Sequence, residues 1–167
     1  EFLYFFPMIK DNKKAIKGLF LTILFVNGPN LNLLGQREPE KYGNTSLPQL
    51  TSYLKQVALS KNCILLDFQS NHEGELIDFI QQKGKEAKGM ILNPGAFTHT
   101  SIALRDAILA VALPFIEVHL TNIYKREPFR HHSYFKDISL GQIVGVGVLG
   151  YELALNALTK ILGENKN

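Results

Sequence analysis

Glu117 and His119 stand two residues apart in an apolar run, residues 114–120 (Pro-Phe-Ile-Glu-Val-His-Leu). If that run is a strand, the two side chains share a face. A carboxylate beside an imidazole fixes the ring's tautomer, which suits the pair to moving a proton at a chosen atom. The plain alternative is a buried ion pair that only stabilises a strand end. Other polar residues follow other apolar runs. Asn27 and Asn30 follow residues 22–26, with Arg37 and Tyr42 further along the same polar stretch. Asn93 and His99 follow residues 89–92, and Thr121 and Asn122 follow His119. Singly, each has a plainer reading: His99 as a cap or core histidine, Arg37 and Tyr42 as surface residues of a loop.

The order of elements brings these segments together. Residues 22–26 are apolar, β-branched and aromatic, and Asn27-Gly28-Pro29 ends them as strand one. Residues 31–45 form a long polar loop, and such a loop in a compact domain is often a lid. Ser46, with Pro48 just inside, opens a helix to about residue 60, placing Leu50, Leu54, Val57 and Ala58 on one face. Residues 63–68 read as strand two, and 73–85 as a helix with Leu76, Ile77 and Ile80 inward. Residues 89–92 form strand three, stopped by Asn93-Pro94-Gly95. Thr98 is expected to open a third helix through Val111, with Ile102, Ala103 and Leu109 apolar. Residues 114–120 form strand four, 121–141 an irregular basic and aromatic stretch, 143–148 strand five and 151–162 a closing helix.

Short continuous apolar strands alternating with amphipathic helices predict an α/β domain: a five-stranded parallel sheet covered on both faces, three layers deep. Right-handed crossovers favour a doubly wound, flavodoxin-like sheet of order 2-1-3-4-5. In such a sheet ligands bind beyond the carboxyl ends of the strands, where all these polar segments lie. His99 and Asp106, seven apart in the expected third helix, share a face two turns removed. One of them is then free to touch a ligand while the other points to a neighbouring subunit.

Two motifs are decoys. Gly145-Val-Gly147-Val-Leu-Gly150 matches the dinucleotide fingerprint, but only 17 residues follow it, too few for the βαβ unit and acidic residue that fingerprint needs. Those glycines read as tight turning and close helix packing. A phosphate-receiver domain would want carboxylates after strand one, where Asn27-Gly28-Pro29-Asn30 stands. The five histidines show no HxxxH or HExxH spacing, and no metal is expected.

The chain has 167 residues, 46% hydrophobic and 20% charged, so one globular domain is expected and a disordered chain excluded. The single cysteine, Cys63, rules out an intramolecular disulfide and a Cys-rich zinc site, and fits a reducing cytoplasm. Net charge is +3, and residues 1–18 hold an excess of two through Lys10, Lys13, Lys14 and Lys17 against Glu1 and Asp11. The remainder is too balanced for a nucleic-acid-binding domain. No apolar run is long enough to span a bilayer. A signal-peptide reading of residues 19–26 fails, because the run is short and no small-residue cleavage site follows. Residues 1–20 read as a separate extension, and 21–167 as the single domain.

Residues 25–43 (Phe-Val-Asn-Gly-Pro-Asn-Leu-Asn-Leu-Leu-Gly-Gln-Arg-Glu-Pro-Glu-Lys-Tyr-Gly) resemble the opening signature of type II 3-dehydroquinate dehydratases. So do residues 68–74 (Phe-Gln-Ser-Asn-His-Glu-Gly), 92–101 (Leu-Asn-Pro-Gly-Ala-Phe-Thr-His-Thr-Ser), 116–122 (Ile-Glu-Val-His-Leu-Thr-Asn) and 126–134 (Arg-Glu-Pro-Phe-Arg-His-His-Ser-Tyr). Five motifs in order are far more specific than any one, and the resemblance covers about residues 22–163. It implies a hydro-lyase that converts 3-dehydroquinate to 3-dehydroshikimate through an enolate, without metal or organic cofactor. This is the third step of the shikimate pathway, leading to chorismate and aromatic amino acids, in the cytoplasm.

By the same resemblance, Tyr42 is the base that takes the C2 proton and Arg37 activates it and stabilises the transition state. His119 is the acid for the departing C1 hydroxyl, Glu117 supports that histidine, and Asn30 holds a water near the enolate. Asn93, His99, Asp106, Arg130 and the Leu120–Thr121 backbone are substrate-binding positions. Asp106 is expected to reach in from a neighbouring subunit, within trimers assembled into a dodecamer. Free tyrosine is only about 0.1% phenolate at pH 7, and a nearby guanidinium raises that fraction. No lysine stands at a strand end, so a Schiff-base route is not expected. Two rival readings on the same fold are an FMN-carrying module, which would be yellow, and an inactive structural member, which would show no turnover.

Overall fold

The computed structural model of the protein describes residues 20–36 and 44–164. Five parallel strands lie in the order β2-β1-β3-β4-β5: β1 Leu21–Asn27, β2 Cys63–Gln69, β3 Gly89–Asn93, β4 Phe115–His119 and β5 Gly141–Val144. Four α-helices accompany them among the described residues: α1 Leu47–Ser60, α2 Glu73–Gly84, α3 Ile102–Val111 and α4 Leu149–Glu164. This is the doubly wound flavodoxin-like arrangement, with the expected strand order. The chain leaves β1 toward β2 on one side and β3 on the other, so the switch point falls at the end of β1.

Alternation along the strands builds two cores. Ile23, Phe25, Ile91, Ile116 and Val118 pack on one face against Leu50, Leu54 and Ala58 of α1 and Ala154, Leu155 and Leu158 of α4. Leu24, Val26, Met90, Leu92 and Phe115 pack on the other against Leu76 and Ile80 of α2 and Leu104 and Ile108 of α3. The central strands β1, β3 and β4 are buried on both faces, which is why they read as short, mainly apolar runs, with Glu117 and His119 the polar exceptions in β4. Helix α1 begins as its sequence requires. Gln49 N–H donates to Ser46 Oγ at 3.4 Å and Ser46 N–H donates to Gln49 Oε1 at 2.9 Å, a capping box with Pro48 in the first turn.

The boundaries of α3 and β5 differ from expectation. Thr98 does not open α3. Gly95–His99 is a separate 3₁₀ turn, and Ser101 caps the helix by accepting from Leu104 N–H at 2.9 Å. Thr98 is drawn inward because its hydroxyl donates to the buried Glu117. Within α3 the inward residues are Leu104, Ala107 and Ile108, whereas Ile102, Ala103 and Leu109 are exposed. Strand β5 ends at Val144 rather than Val148, because Gly145 (φ 87°) and Gly147 (φ 63°) turn the chain out of extension.

Candidate active site

A cavity of about 230 Å³ opens at the carboxyl edge of the sheet, beside the switch point. Pro29, Asn30, Leu31, Leu33 and Leu34 wall it from the turn after β1; Asn93, Gly95, Ala96 and His99 from the turn after β3. His119, Leu120, Thr121 and Ile123 come from the end of β4, and Arg126 and Arg130 from the irregular segment beyond. The strand ends therefore converge as the topology requires.

The turns that carry these groups are braced by backbone contacts. Gly28 N–H donates to Asn93 O at 2.8 Å, and a Cβ on Gly28 would stand 2.3 Å from the Pro94 carbonyl oxygen. Only glycine lets the two turns come this close. Asn30 adopts a left-handed conformation (φ 68°), and its N–H donates to Asn71 Oδ1 at 2.9 Å, so the end of β2 holds it in place. The two glycines after β5 serve β4: Gly145 N–H donates to His119 O at 3.0 Å and Gly147 N–H to Leu120 O at 2.9 Å. Gly150 packs its backbone against Val118 and Ile143. The dinucleotide-like motif thus provides turns and close helix packing, as read from its position.

Glu117 is fully buried and gathers donors from three other segments. Thr98 Oγ1 donates to its Oε1 at 2.5 Å, Ser133 Oγ to its Oε1 and Oε2 at 2.8 and 2.9 Å, and Gln142 Nε2 to its Oε2 at 2.5 Å. His119 Nε2–H completes the set at 2.7 Å. Burial alone would raise the Glu117 pKa; the hydrogen bond and charge of His119, with the Thr98 and Ser133 hydroxyls, outweigh it and hold the carboxyl below its ordinary value. Because a carboxylate only accepts, the His119 proton sits on Nε2.

His99 is anchored differently. Its Nδ1–H donates to the His132 carbonyl at 2.6 Å. Its pKa is lowered, chiefly by partial burial, against the pull of the His132 carbonyl, with the nearby positive charges of His119 and Arg130 adding to the drop. Its neutral form leaves Nε2 as an acceptor. Asn93 is 3% exposed, and its amide is held at both ends, Oδ1 by Gly95 N–H at 3.1 Å and Nδ2 by the Tyr151 hydroxyl at 2.8 Å. Arg130 stacks over Phe129 and donates to Glu127 at 2.8 Å.

Seven of the expected positions therefore line one cavity: Asn30, Asn93, His99, His119, Leu120, Thr121 and Arg130, with Glu117 directly behind His119. Arg37 and Tyr42 lie outside the described residues. Asp106 is exposed on α3 and does not line the cavity of its own chain. The helical argument that paired it with His99 fails, because the 3₁₀ turn and the Ser101 cap separate the two. Arg126, in residues 126–134, and the anchors Thr98, Ser133 and Gln142 are site residues not expected from the sequence. Thr98 and Ser133 lie within residues 92–101 and 126–134, among other polar residues, where nothing marks them as partners of a buried carboxylate. Gln142 is equally unmarked.

An open α/β sheet with an acid–base pair in a polar pocket at its switch point defines an enzyme of the proton-transfer kind. The sequence model of the family Dehydroquinase class II matches residues 21–159, and the chain belongs to that family. It is similar to the 3-dehydroquinate dehydratase of Erwinia tasmaniensis, 57% identical over 142 residues that cover 85% of this chain and 95% of that protein. It is also similar to the catabolic 3-dehydroquinase of Penicillium rubens, 54% identical over 134 residues that cover 80% of this chain and 86% of that one. Among solved structures it resembles the type II dehydroquinase of Butyrivibrio crossotus, with a TM-score of 0.80 at 45% identity, covering 83% of this chain and 97% of that one.

Proposed function

We propose that this pocket is where the chain, a hydro-lyase of the class II dehydroquinase family, removes water from 3-dehydroquinate to give 3-dehydroshikimate. The observation that carries the reading is the Glu117–His119 pair, a buried carboxylate directing an imidazole at the cavity wall.

A proton α to a carbonyl is weakly acidic, so its removal needs a positioned base and a stabilised enolate. We assign the base to Tyr42 and its activation to Arg37. In the sequence both lie between Leu34, which lines the cavity, and residues 44–46, whose backbone packs against Gly35. Tyr42 takes the C2 proton, and the C2–H electron pair moves into the carbonyl as an enolate, beside which Asn30 holds a water. Collapse of the enolate expels the C1 hydroxyl, which leaves as water after taking a proton from His119. Glu117 supports the imidazolium before that transfer. Asn93, His99, Arg130 and the Leu120–Thr121 backbone hold the substrate, and the guanidinium groups of Arg126 and Arg130 face its carboxylate charge.

Asp106 we assign to a neighbour's pocket, in trimers assembled into a dodecamer. Ile102 and Leu109 support this, since they flank Asp106 on α3 with 56% and 50% of their surface exposed. We place the step third in the shikimate pathway, on the route to chorismate and aromatic amino acids, in the cytoplasm. Fungal relatives carry the name catabolic 3-dehydroquinase.

The test is to add 3-dehydroquinate and follow the ultraviolet absorbance of the conjugated enone. The wild-type protein should produce it, also with a chelator or borohydride present. Tyr42→Phe should abolish turnover while keeping ligand binding. Near-normal turnover by Tyr42→Phe would move the base to another group, and no enone from the folded protein would overturn the reading.

A further inference from the structure

Tyr151 is fully buried in the first turns of α4, directly after the glycine motif, and does not line the cavity. Its ring meets Phe25 edge-on at 5.0 Å. Its hydroxyl joins the ends of two central strands: Asn93 Nδ2 donates to it at 2.8 Å, and it donates to Asn27 Oδ1 at 2.7 Å. Burial pushes its pKa far up, against the Asn93 hydrogen bond, so the hydroxyl keeps its proton.

The directions in this chain follow from one unambiguous donor. A backbone N–H only donates, so Gly95 N–H fixes the oxygen of the Asn93 amide on its side. Nδ2 must then face Tyr151. The tyrosine oxygen accepts there, and its single proton goes to Asn27. With one Nδ2 proton given to Tyr151, Asn93 has the other to offer in the cavity it lines.

We infer that Tyr151 is a positioning residue for substrate binding: through the Asn27–Tyr151–Asn93 chain it holds the Asn93 amide as a donor toward an oxygen acceptor of the substrate. Without the phenol oxygen the amide is held from one side only, by Gly95. This rests on the reading of Asn93 as a substrate contact. Tyr151 acts on affinity and not on the proton transfers, since its hydroxyl bonds to Asn93 and Asn27 and not to His119 or Glu117.

The experiment is a double-mutant cycle on the full chain with 3-dehydroquinate, reading KM and kcat separately. Tyr151→Phe should raise KM about five- to tenfold, the range of one neutral hydrogen bond, with kcat within about twofold. Asn93→Ala should raise KM at least as much, and adding Tyr151→Phe to it should change KM no further. Asn27→Ala, which keeps the phenol but frees its proton to approach Asn93, should raise KM in the same direction and serves if Tyr151→Phe does not fold. An unchanged KM in a folded Tyr151→Phe protein overturns the inference while leaving Asn93 as a contact. An additive effect in the double variant overturns it as well. An unchanged KM in Asn93→Ala overturns both the contact and the inference.

Discussion

His119 Nε2–H donates to Glu117 Oε1 at 2.7 Å from two positions along on the same face of β4, and the carboxylate has no other role open to it. Thr98, Ser133 and Gln142 occupy its remaining acceptor capacity. A fully buried carboxylate without such partners would be strongly disfavoured. With them, it stays ionised and sets the orientation of a single imidazole.

Glu117→Gln follows directly. The amide can show its oxygen to only some of the donors, and its own N–H₂ then meets hydroxyls or Gln142. The imidazolium loses its counter-charge. The expected kcat is lower by about 10²- to 10⁴-fold, the range for an impaired general acid. The buried mismatch should cost about 1–3 kcal/mol of stability. Steady-state kinetics and urea unfolding check the two parts separately; a kcat within a factor of three would remove Glu117 from the mechanism.

Acid should weaken the fold through the same residue. The folded Glu117 pKa lies below its unfolded value, so the folded state binds that proton less readily. Its stabilising contribution is full above the ordinary carboxyl range. It is lost as pH falls from that range through the lower folded value. Urea unfolding of the wild-type protein between pH 6 and 3 should show this loss, and Glu117→Gln should show a shallower one. Parallel curves for the two proteins would assign acid lability to other carboxylates.

His99 carries a separate pH dependence. Its pKa is lowered, chiefly by burial, so at neutral pH the ring is neutral and its Nε2 accepts a hydrogen bond. Below the lowered value the ring protonates and the acceptor is gone. KM for 3-dehydroquinate should therefore rise as pH drops through that value, with kcat governed by other groups. His99→Gln should weaken binding at all pH values and flatten this rise. A KM profile identical to that of the wild-type protein would show that Nε2 does not meet the substrate.

The fold was legible because its central strands are buried on both faces. Residues 23–26 and 90–92 show this as uninterrupted apolar sequence, broken in β4 by Glu117 and His119, and parallel order with right-handed crossovers leaves few topologies. The site was legible to the extent that its residues end strands. What remained hidden depends on side-chain partners distant in sequence. Thr98 looked like a helix cap because threonine before an apolar run usually is one. Its true partner, Glu117, lies 19 residues away and pulls the turn out of helical shape. Gln142 contacts Glu117 only because β5 pairs with β4, and the glycines that end β5 masked that register. Ile102 and Leu109 are apolar yet exposed, because Leu104, Ala107 and Ile108 form the buried face of α3.

Gly28→Ala tests how the cavity is shaped. Gly28 follows β1 and lies against the turn after β3, where an added methyl would stand 2.3 Å from Pro94 O and 2.6 Å from Pro94 C. Both are backbone atoms, so no side chain can rotate away. The φ of Gly28 is not in the left-handed region, so the cost is steric and not conformational. Relief requires the two turns to separate, which also strains the Gly28 N–H to Asn93 O hydrogen bond. Overpacking of this kind costs about 1–3 kcal/mol. The separation would carry Asn93 and Gly95 away from Asn30 across the cavity. The substitution should therefore lower melting temperature and raise KM together, whereas Gly74→Ala, where an added Cβ meets nothing within 4 Å, should leave KM unchanged. If Gly28→Ala melts several degrees lower with an unaltered KM, the turn contact supports the fold alone and does not set the width of the pocket.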